Sequence, residues 1–166
     1  MEIRLARPEE HAAVGELTLA AYAPFTAGPR DSYVATLRDA AGRAEAADVW
    51  VAVEDGRLVG TVTDPPPGSP FREVGGDHEG EFRMLAVSPA AQGRGVGDAL
   101  VRFLLERYRE RGYRGVVLST LAEMTTAHRV YERLGFQRAP DLDWSPLPGV
   151  ALIGFRLPLD PTPEDS

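Results

Sequence analysis

The chain has 166 residues, the size of one domain, and its 25 acidic against 18 basic residues give a net charge of −7, which argues against a nucleic-acid partner. It contains no cysteine, so disulfides, thiolate metal sites and a cysteine nucleophile are excluded. No apolar run is long enough to span a bilayer, and Met1-Glu2-Ile3-Arg4 carries no signal-peptide core, so a cytoplasmic protein with no membrane association is expected.

Ile3 to Ala6 reads as a short first strand. Pro8-Glu9-Glu10 then opens a helix, with Pro in the first turn and acids at the positive end of the dipole. Helices are expected over 9–22 and 30–41, separated by Pro24 and the Gly28-Pro29 break. Val49 to Val53 and Arg57 to Val62 are strands, and Asp55-Gly56 between them is a hairpin turn signal. From Asp64 to His78, Pro and Gly crowd a stretch without periodicity. Loops of this length are binding loops, lids or disordered, so a flap over a substrate site is expected here, with a plain insertion as the alternative.

Glu81 to Pro89 reads as the next strand, stopped by its proline. After the run Gln92-Gly93-Arg94-Gly95-Val96-Gly97, apolar residues recur at helical spacing from Asp98 to Tyr108. Gly115 to Thr120 is a continuous apolar strand suited to a buried position. Residues 122–134 form a last helix ending at Gly135, a natural left-handed cap. Phe136 to Arg138 and Val150 to Leu157 close the sheet. A single domain over 1–158 is expected, with 159–166 as a frayed tail.

The glycine run carries the chemistry. Glycines let a backbone approach closely, the first N–H groups of a helix are unpaired, and the helix dipole favours an anion, so this turn is a phosphate cradle. The alternating glycines do not match the dinucleotide fingerprint G-x-G-x-x-G, and Arg111-Gly112-Tyr113-Arg114 stands where its acidic residue belongs. The P-loop's G-K-[ST] is absent.

Gln92, Gly95 and Gly97 instead resemble the (Gln/Arg)-x-x-Gly-x-(Gly/Ala) loop of the GNAT superfamily of N-acetyltransferases. Glu81 to Pro89 is similar to that family's fourth strand, and Ala127-His128-Arg129-Val130-Tyr131-Glu132-Arg133-Leu134-Gly135-Phe136 to its A-x-x-x-Y-E-K-L-G-F segment. The resemblance is specific across residues 80–138. It implies an α/β (mixed α+β) fold with a central, mostly antiparallel mixed sheet of about six to seven strands, splayed at the fourth and fifth, and about four flanking helices.

The resemblance also implies acetyl-coenzyme A as cofactor. Its expected contacts are the main chain of Leu85, Ala86 and Val87, the loop Gln92, Gly93, Arg94, Gly95, Val96 and Gly97, then Ala127 and Tyr131. Arg94 is the natural phosphate counter-charge, and Arg129 and Arg133 are candidates for the ribose phosphate. Tyr131 is implied as general acid to the coenzyme sulfur, and Glu81 as general base, directly or through water, with Glu79 as its competitor. One departure stands out: Met124 occupies a position where many relatives carry an Asn.

The expected reaction is direct transfer, in a ternary complex, of an acetyl group to a primary amine of a small molecule or peptide. The rival reading is a non-catalytic acyl-coenzyme A-binding sensory or regulatory module; a nucleotide-binding protein is a distant third. Tyr22, Phe25, Tyr33, Phe71 and Trp144 are the aromatic candidates for the acceptor pocket, with Asp77, Glu79 and Glu81 able to attract a cationic amine. His11, His78 and His128 lack ligand spacing, so no metal is expected, and His78 alone is kept as an alternative base. The family resemblance leaves a homodimer open.

Overall fold

A computed structural model describes residues 1–26, 32–146 and 148–159. Strand β1 (Glu2–Leu5) leads through a short 3-10 turn at Pro8–Glu10 into helix α1 (His11–Tyr22). Helices α2 (Ser32–Arg38) and α3 (Ala40–Ala44) follow. The single helix expected over 30–41 is thus two. Asp39 leaves the helical region at φ −84°, ψ 64° and turns its carboxylate onto the Gly42 N–H at 2.9 Å, capping α3 instead of continuing α2. Residues 30 and 31, and the Gly28-Pro29 break, lie outside the described residues.

Strands β2 (Asp48–Glu54) and β3 (Arg57–Asp64) form the expected hairpin, with Asp55 and Gly56 both at positive φ in its turn. Strands β4 (Glu79–Glu81) and β5 (Arg83–Val87) come next, then helix α4 (Val96–Glu110), strand β6 (Gly115–Leu121) and helix α5 (Thr125–Arg133). Strands β7 (Gln137–Arg138) and β8 (Leu152–Pro158) close the fold. The tail expected beyond 159 lies outside the described residues.

The mixed α/β architecture matches the expectation, with one change of detail. The strand expected from Glu81 to Pro89 is two strands in two different sheets, ordered β1-β2-β3-β5 and β4-β6-β8-β7. The break falls at Phe82: β4 pairs in parallel with β6 while β5 pairs antiparallel with β3, and Met84, at φ 54°, accompanies an irregularity in the β3–β5 register. The remaining ladders are antiparallel. The splay expected between fourth and fifth strands is therefore a gap in which β5 and β6 share no ladder.

Helix α4 covers both sheets. Leu100, Val101, Leu104, Leu105 and Tyr108 are buried against Trp50 and Val62 of the first sheet and Val116, Leu118 and Phe155 of the second. Such a helix fixes the angle of the splay, because moving either sheet opens the same core. Its start is held equally tightly. A methyl group on Gly60 of β3 would lie 2.6 Å from Val96, so only glycine lets the first turn of α4 sit on the sheet. No helix among the described residues is long and apolar enough to cross a membrane.

Candidate active site

The splay opens a cleft of about 560 Å³. One wall is β5, with Leu85, Ala86 and Val87; the floor is Gln92, Gly93 and Gly95 to Asp98, with Arg94 outside the lining; the other wall is α5 and the residue before it, with Met124, Thr126, Ala127, Arg129, Val130 and Arg133. Ala21, Pro24 and Phe25 close the side. Strand β5 is the edge of its sheet, so its main-chain groups on the cleft side have no strand partner.

The turn has the form an anion needs. Gly93 and Gly95 both stand at φ 81°, and a Cβ at either would meet no atom within 4 Å, so the space over the turn is open. No side chain caps α4 at Gly95, and the first helical bond runs from Ala99 N–H to the Gly95 carbonyl. The N–H groups of Val96, Gly97 and Asp98 are therefore left for a ligand, at the positive end of a 15-residue helix. A methyl on Gly97 would touch Val87 and Val130 at 3.7 and 3.8 Å, so its absence keeps the cleft floor low.

Two of the three cations expected around the turn are paired within the protein. Arg94 is bound to Glu54 at the end of β2, and Arg133 donates to Asp98 at 2.7 Å across the cleft. Arg129 lines the cleft without an ion pair among the described residues. Asp98 escaped the sequence reading because its partner is 35 positions away, although the helical spacing of Thr126, Arg129, Val130 and Arg133 marks one face of α5.

Tyr131 stands behind this wall. It is buried among the rings of Phe82, Phe136 and Phe155, at centroid distances of 5.8 to 5.9 Å. Burial raises its hydroxyl's pKa well above the ordinary value, so the group keeps its proton. No hydrogen bond among the described residues reaches that hydroxyl. Tyr131 is absent from the residues lining the cleft, whereas Ala127, four positions before it on the same helix, is present.

Glu81 sits elsewhere. It is 1% exposed, and its two carboxylate oxygens accept the main-chain N–H groups of Glu73 (2.9 Å), Val74 (3.2 Å) and Gly75 (2.8 Å). It lies outside the cleft lining and anchors the loop that precedes it. Arg72 holds the same loop by donating to the carbonyls of Gly76 and Glu79, and Arg83 by donating to the Phe71 carbonyl at 3.0 Å. The stretch expected as a flap is thus tied down at several points, and none of residues 65–78 lines the described cleft. The reason is chemical: with few apolar side chains to bury, the loop is ordered by satisfying its main chain.

Of the aromatic acceptor candidates, only Phe25 lines the cleft. Tyr22 is buried at the end of α1, Tyr33 and Phe71 are half-buried, and Trp144 is 38% exposed with its indole N–H on Ser119 Oγ at 3.2 Å. Glu79 accepts the Gly76 N–H at 2.9 Å, and Asp77 and His78 are exposed. His128 lies against the Leu121 carbonyl, with ring nitrogen Nε2 at 3.0 Å. No group of three His, Asp or Glu among the described residues is arranged to hold a metal.

Comparison with known proteins follows the same lines. A family model described as "Acetyltransferase (GNAT) family" matches residues 13–136. The chain is 41% identical to the mycothiol acetyltransferase of Cellulomonas flavigena over 106 residues, 59% of this chain and 29% of that one. It is 36% identical to the N-acetylaspartate synthetase of Danio rerio over 111 residues, 67% of this chain and 36% of that one. The matched part is thus about a third of these curated relatives' length. Among solved structures, a GNAT family acetyltransferase from Brucella melitensis in complex with acetyl-CoA superposes with a TM-score of 0.64 at 27% identity, covering 96% of this chain and 88% of that one.

Proposed function

Because the chain belongs to the acetyltransferase (GNAT) family, we propose that it moves an acetyl group from acetyl-coenzyme A to a primary amine of a small molecule or peptide, directly and without a covalent enzyme intermediate. The observation that carries this reading is the uncapped, glycine-lined start of α4, opening on a cleft whose far wall is an unpaired strand edge. A pyrophosphate fits the free N–H groups of Val96 to Asp98, and a chain of amides fits the open edge of β5 at Leu85 and Val87 as an added strand would. When bound, acetyl-coenzyme A supplies the acetyl thioester and a thiolate leaving group.

The protein's own residues do the rest. The main chain of β5 orients the acetyl end and offers N–H groups to its carbonyl oxygen. Tyr131, kept protonated by its apolar surroundings, holds the proton that the leaving sulfur needs, so its place behind Ala127 suits a general acid. Glu81 has three main-chain partners, so this reading keeps it out of direct contact with the amine and gives it the loop to hold. Met124 lines the cleft where an Asn is common in the family, which leaves cofactor contacts on that side to Thr126 and to main chain.

Calorimetric titration with acetyl-coenzyme A, followed by a thiol-release screen over amines, tests the proposal. The names of the two relatives put aspartate and mycothiol-type acceptors first in that screen. Binding with turnover that falls by ~10²–10⁴ in Tyr131→Phe, at unchanged affinity, is the expected result. Binding without turnover on any amine would leave the acyl-coenzyme A-binding module in its place.

A further inference from the structure

We propose that Asp64 and Tyr108 form a proton-held clasp on the peptide between Glu81 and Phe82, where the chain passes from one sheet to the other, and that both are thereby positioning residues for the cleft. The clasp itself rests on its own geometry; its consequence for acetyl transfer rests on the transferase reading.

Tyr108 is fully buried on α4, and its hydroxyl meets two groups at once. Oδ1 of Asp64, at the end of β3, is 2.8 Å away, and the carbonyl oxygen of Glu81, at the end of β4, is 3.0 Å away. Strand β3 belongs to the first sheet and β4 to the second, so one hydroxyl joins both. Its ring lies flat on β4: a methyl group on Gly80 would stand 2.6 Å from it, so only glycine lets the strand come this close. The Glu81 carbonyl is part of the peptide leading into Phe82, whose ring centroid is 5.9 Å from that of Tyr131. One residue further, Arg83 begins β5, the wall of the cleft. A shift of this peptide therefore moves both the packing of Tyr131 and the start of that wall.

Counting protons shows what the clasp needs. A phenol has one proton to donate, and here it faces two acceptors. With Asp64 ionised, only one of the two can be well served. With a proton on Oδ1, the carboxyl donates to the Tyr108 oxygen and Tyr108 donates to the Glu81 carbonyl, so both bonds are made. The other oxygen, Oδ2, is buried and accepts no hydrogen bond among the described residues; Arg111 stands 3.6 Å from it, too far for one. The remaining charged groups facing Asp64 are Asp48, opposite it on β2 and 4.0 Å from the same Arg111, and Arg107 of α4, which lies over the Trp50 ring. Glu81, Arg72 and Arg83 turn their charged ends to the main chain of the loop. Burial raises the Asp64 pKa; Tyr108, Arg111 and Arg107 oppose the rise and Asp48 adds to it.

A folded-state value raised above the ordinary one means that the fold keeps a proton which the unfolded chain releases. The clasp's contribution is then complete below the ordinary carboxylate range and is lost as pH rises through the folded value. When the proton leaves for solvent, the Tyr108 hydroxyl turns to the Asp64 anion and the Glu81 carbonyl loses its donor. Asparagine has an amide N–H where the acid has its proton, so Asp64→Asn holds the clasp closed at every pH.

The test compares wild type, Asp64→Asn and Tyr108→Phe across pH. The infrared C=O stretch of a protonated carboxyl should appear in the difference between wild type and Asp64→Asn, and fade as pH rises. Hydrogen exchange over residues 80–84, corrected for its intrinsic pH dependence, should stay slow in Asp64→Asn, run fast in Tyr108→Phe, and pass from one to the other in wild type as the band fades. On an amine that the screen identifies, Tyr108→Phe should lower kcat by up to ~10²-fold with little change in acetyl-coenzyme A affinity. The kcat ratio of wild type to Asp64→Asn, in which the amine's own titration cancels, should fall with the band. No carboxyl band in wild type overturns the proposal. So does exchange in Asp64→Asn as fast as in Tyr108→Phe, since the ionised carboxylate would then be the working form. A wild-type kcat in Tyr108→Phe overturns the positioning role and leaves the transferase standing. A wild type that acylates nothing overturns the transferase reading, while the band and the exchange still decide the clasp.

Discussion

The start of α4 and the loop that precedes β4 are built on different principles. At the α4 end the groups on offer are main chain: N–H groups of Val96 to Asp98, left unpaired because Gly93 and Gly95 take a left-handed φ and no side chain caps the helix. At the β4–β5 end the order comes from side chains: Glu81 of β4 and Arg83 of β5 fasten the irregular loop that precedes them by its main chain. The first end is the one proposed above to take the phosphates of acetyl-coenzyme A. The second is a loop fastened by a few hydrogen bonds, which changes more cheaply than a helix start packed on a sheet.

The sharpest way to break this comparison is at Glu81. Replacing it by Leu leaves the N–H groups of Glu73, Val74 and Gly75 without acceptors in a buried place, at roughly 1–3 kcal/mol each. We expect a loss of at least about 3 kcal/mol in chemical denaturation, part of it recoverable because the loop can open to water. A loss below about 1 kcal/mol would mean that the loop is not anchored there. At the other end, Gly95→Val forces a β-branched residue into φ 81°, at about 1–3 kcal/mol of strain, and puts a side chain into the cradle. Acetyl-coenzyme A affinity should fall by roughly tenfold or more, since each 1.4 kcal/mol is tenfold. Unchanged affinity by calorimetry would remove the turn from the binding site.

The same division decides what was legible in the sequence. Glycines at fixed spacing between a strand and a helix announce a main-chain site, because backbone geometry leaves a local mark. The Asp55-Gly56 turn, the burial face of α4 and the cap at Gly135 are local in the same sense, and each appears where its residues put it. The second end left no such mark. Glu81 pairs with N–H groups six to eight positions back, Tyr108 is hydrogen-bonded to Asp64 at 2.8 Å across 44 positions, and the irregularity within β5 sits at Met84, whose side chain gives no hint of a positive φ. The division of 30–41 into two helices was concealed in a similar way, in the choice of Asp39 to cap rather than continue. Long-range pairing of polar side chains with main chain follows no period, so pattern reading passes over it.

A smaller test asks whether the cradle is optimised. Asp98 lines the cleft in the first turn of α4, a favoured place for an acid in a helix but an unfavourable one beside a phosphate, and it also engages Arg133. Asp98→Asn removes the repulsion and frees Arg133 for the ligand. Affinity for acetyl-coenzyme A should rise by about two- to fivefold, the equivalent of 0.3–1 kcal/mol, and more at low salt than at high. A fall in affinity would assign Asp98 a contact with the cofactor itself.

The smallest effect concerns whether an acid limb in activity can be separated from acid unfolding. Glu10, remote from the cleft, receives two hydrogen bonds from Arg4, at 2.7 and 2.9 Å, and one from the Arg7 N–H. Chiefly because of the Arg4 bonds, its pKa is lowered from 4.5 to about 2. A depressed folded-state value means that the pair's stabilisation is complete above 4.5 and is lost as pH falls towards about 2. For a pair at the surface the loss is about 1 kcal/mol or less. Glu10→Gln should therefore flatten stability against pH only below about 4.5 and leave the activity limb in place. Were that limb to move with Glu10→Gln, it would report unfolding of the amino-terminal sheet and not a proton on the substrate's base.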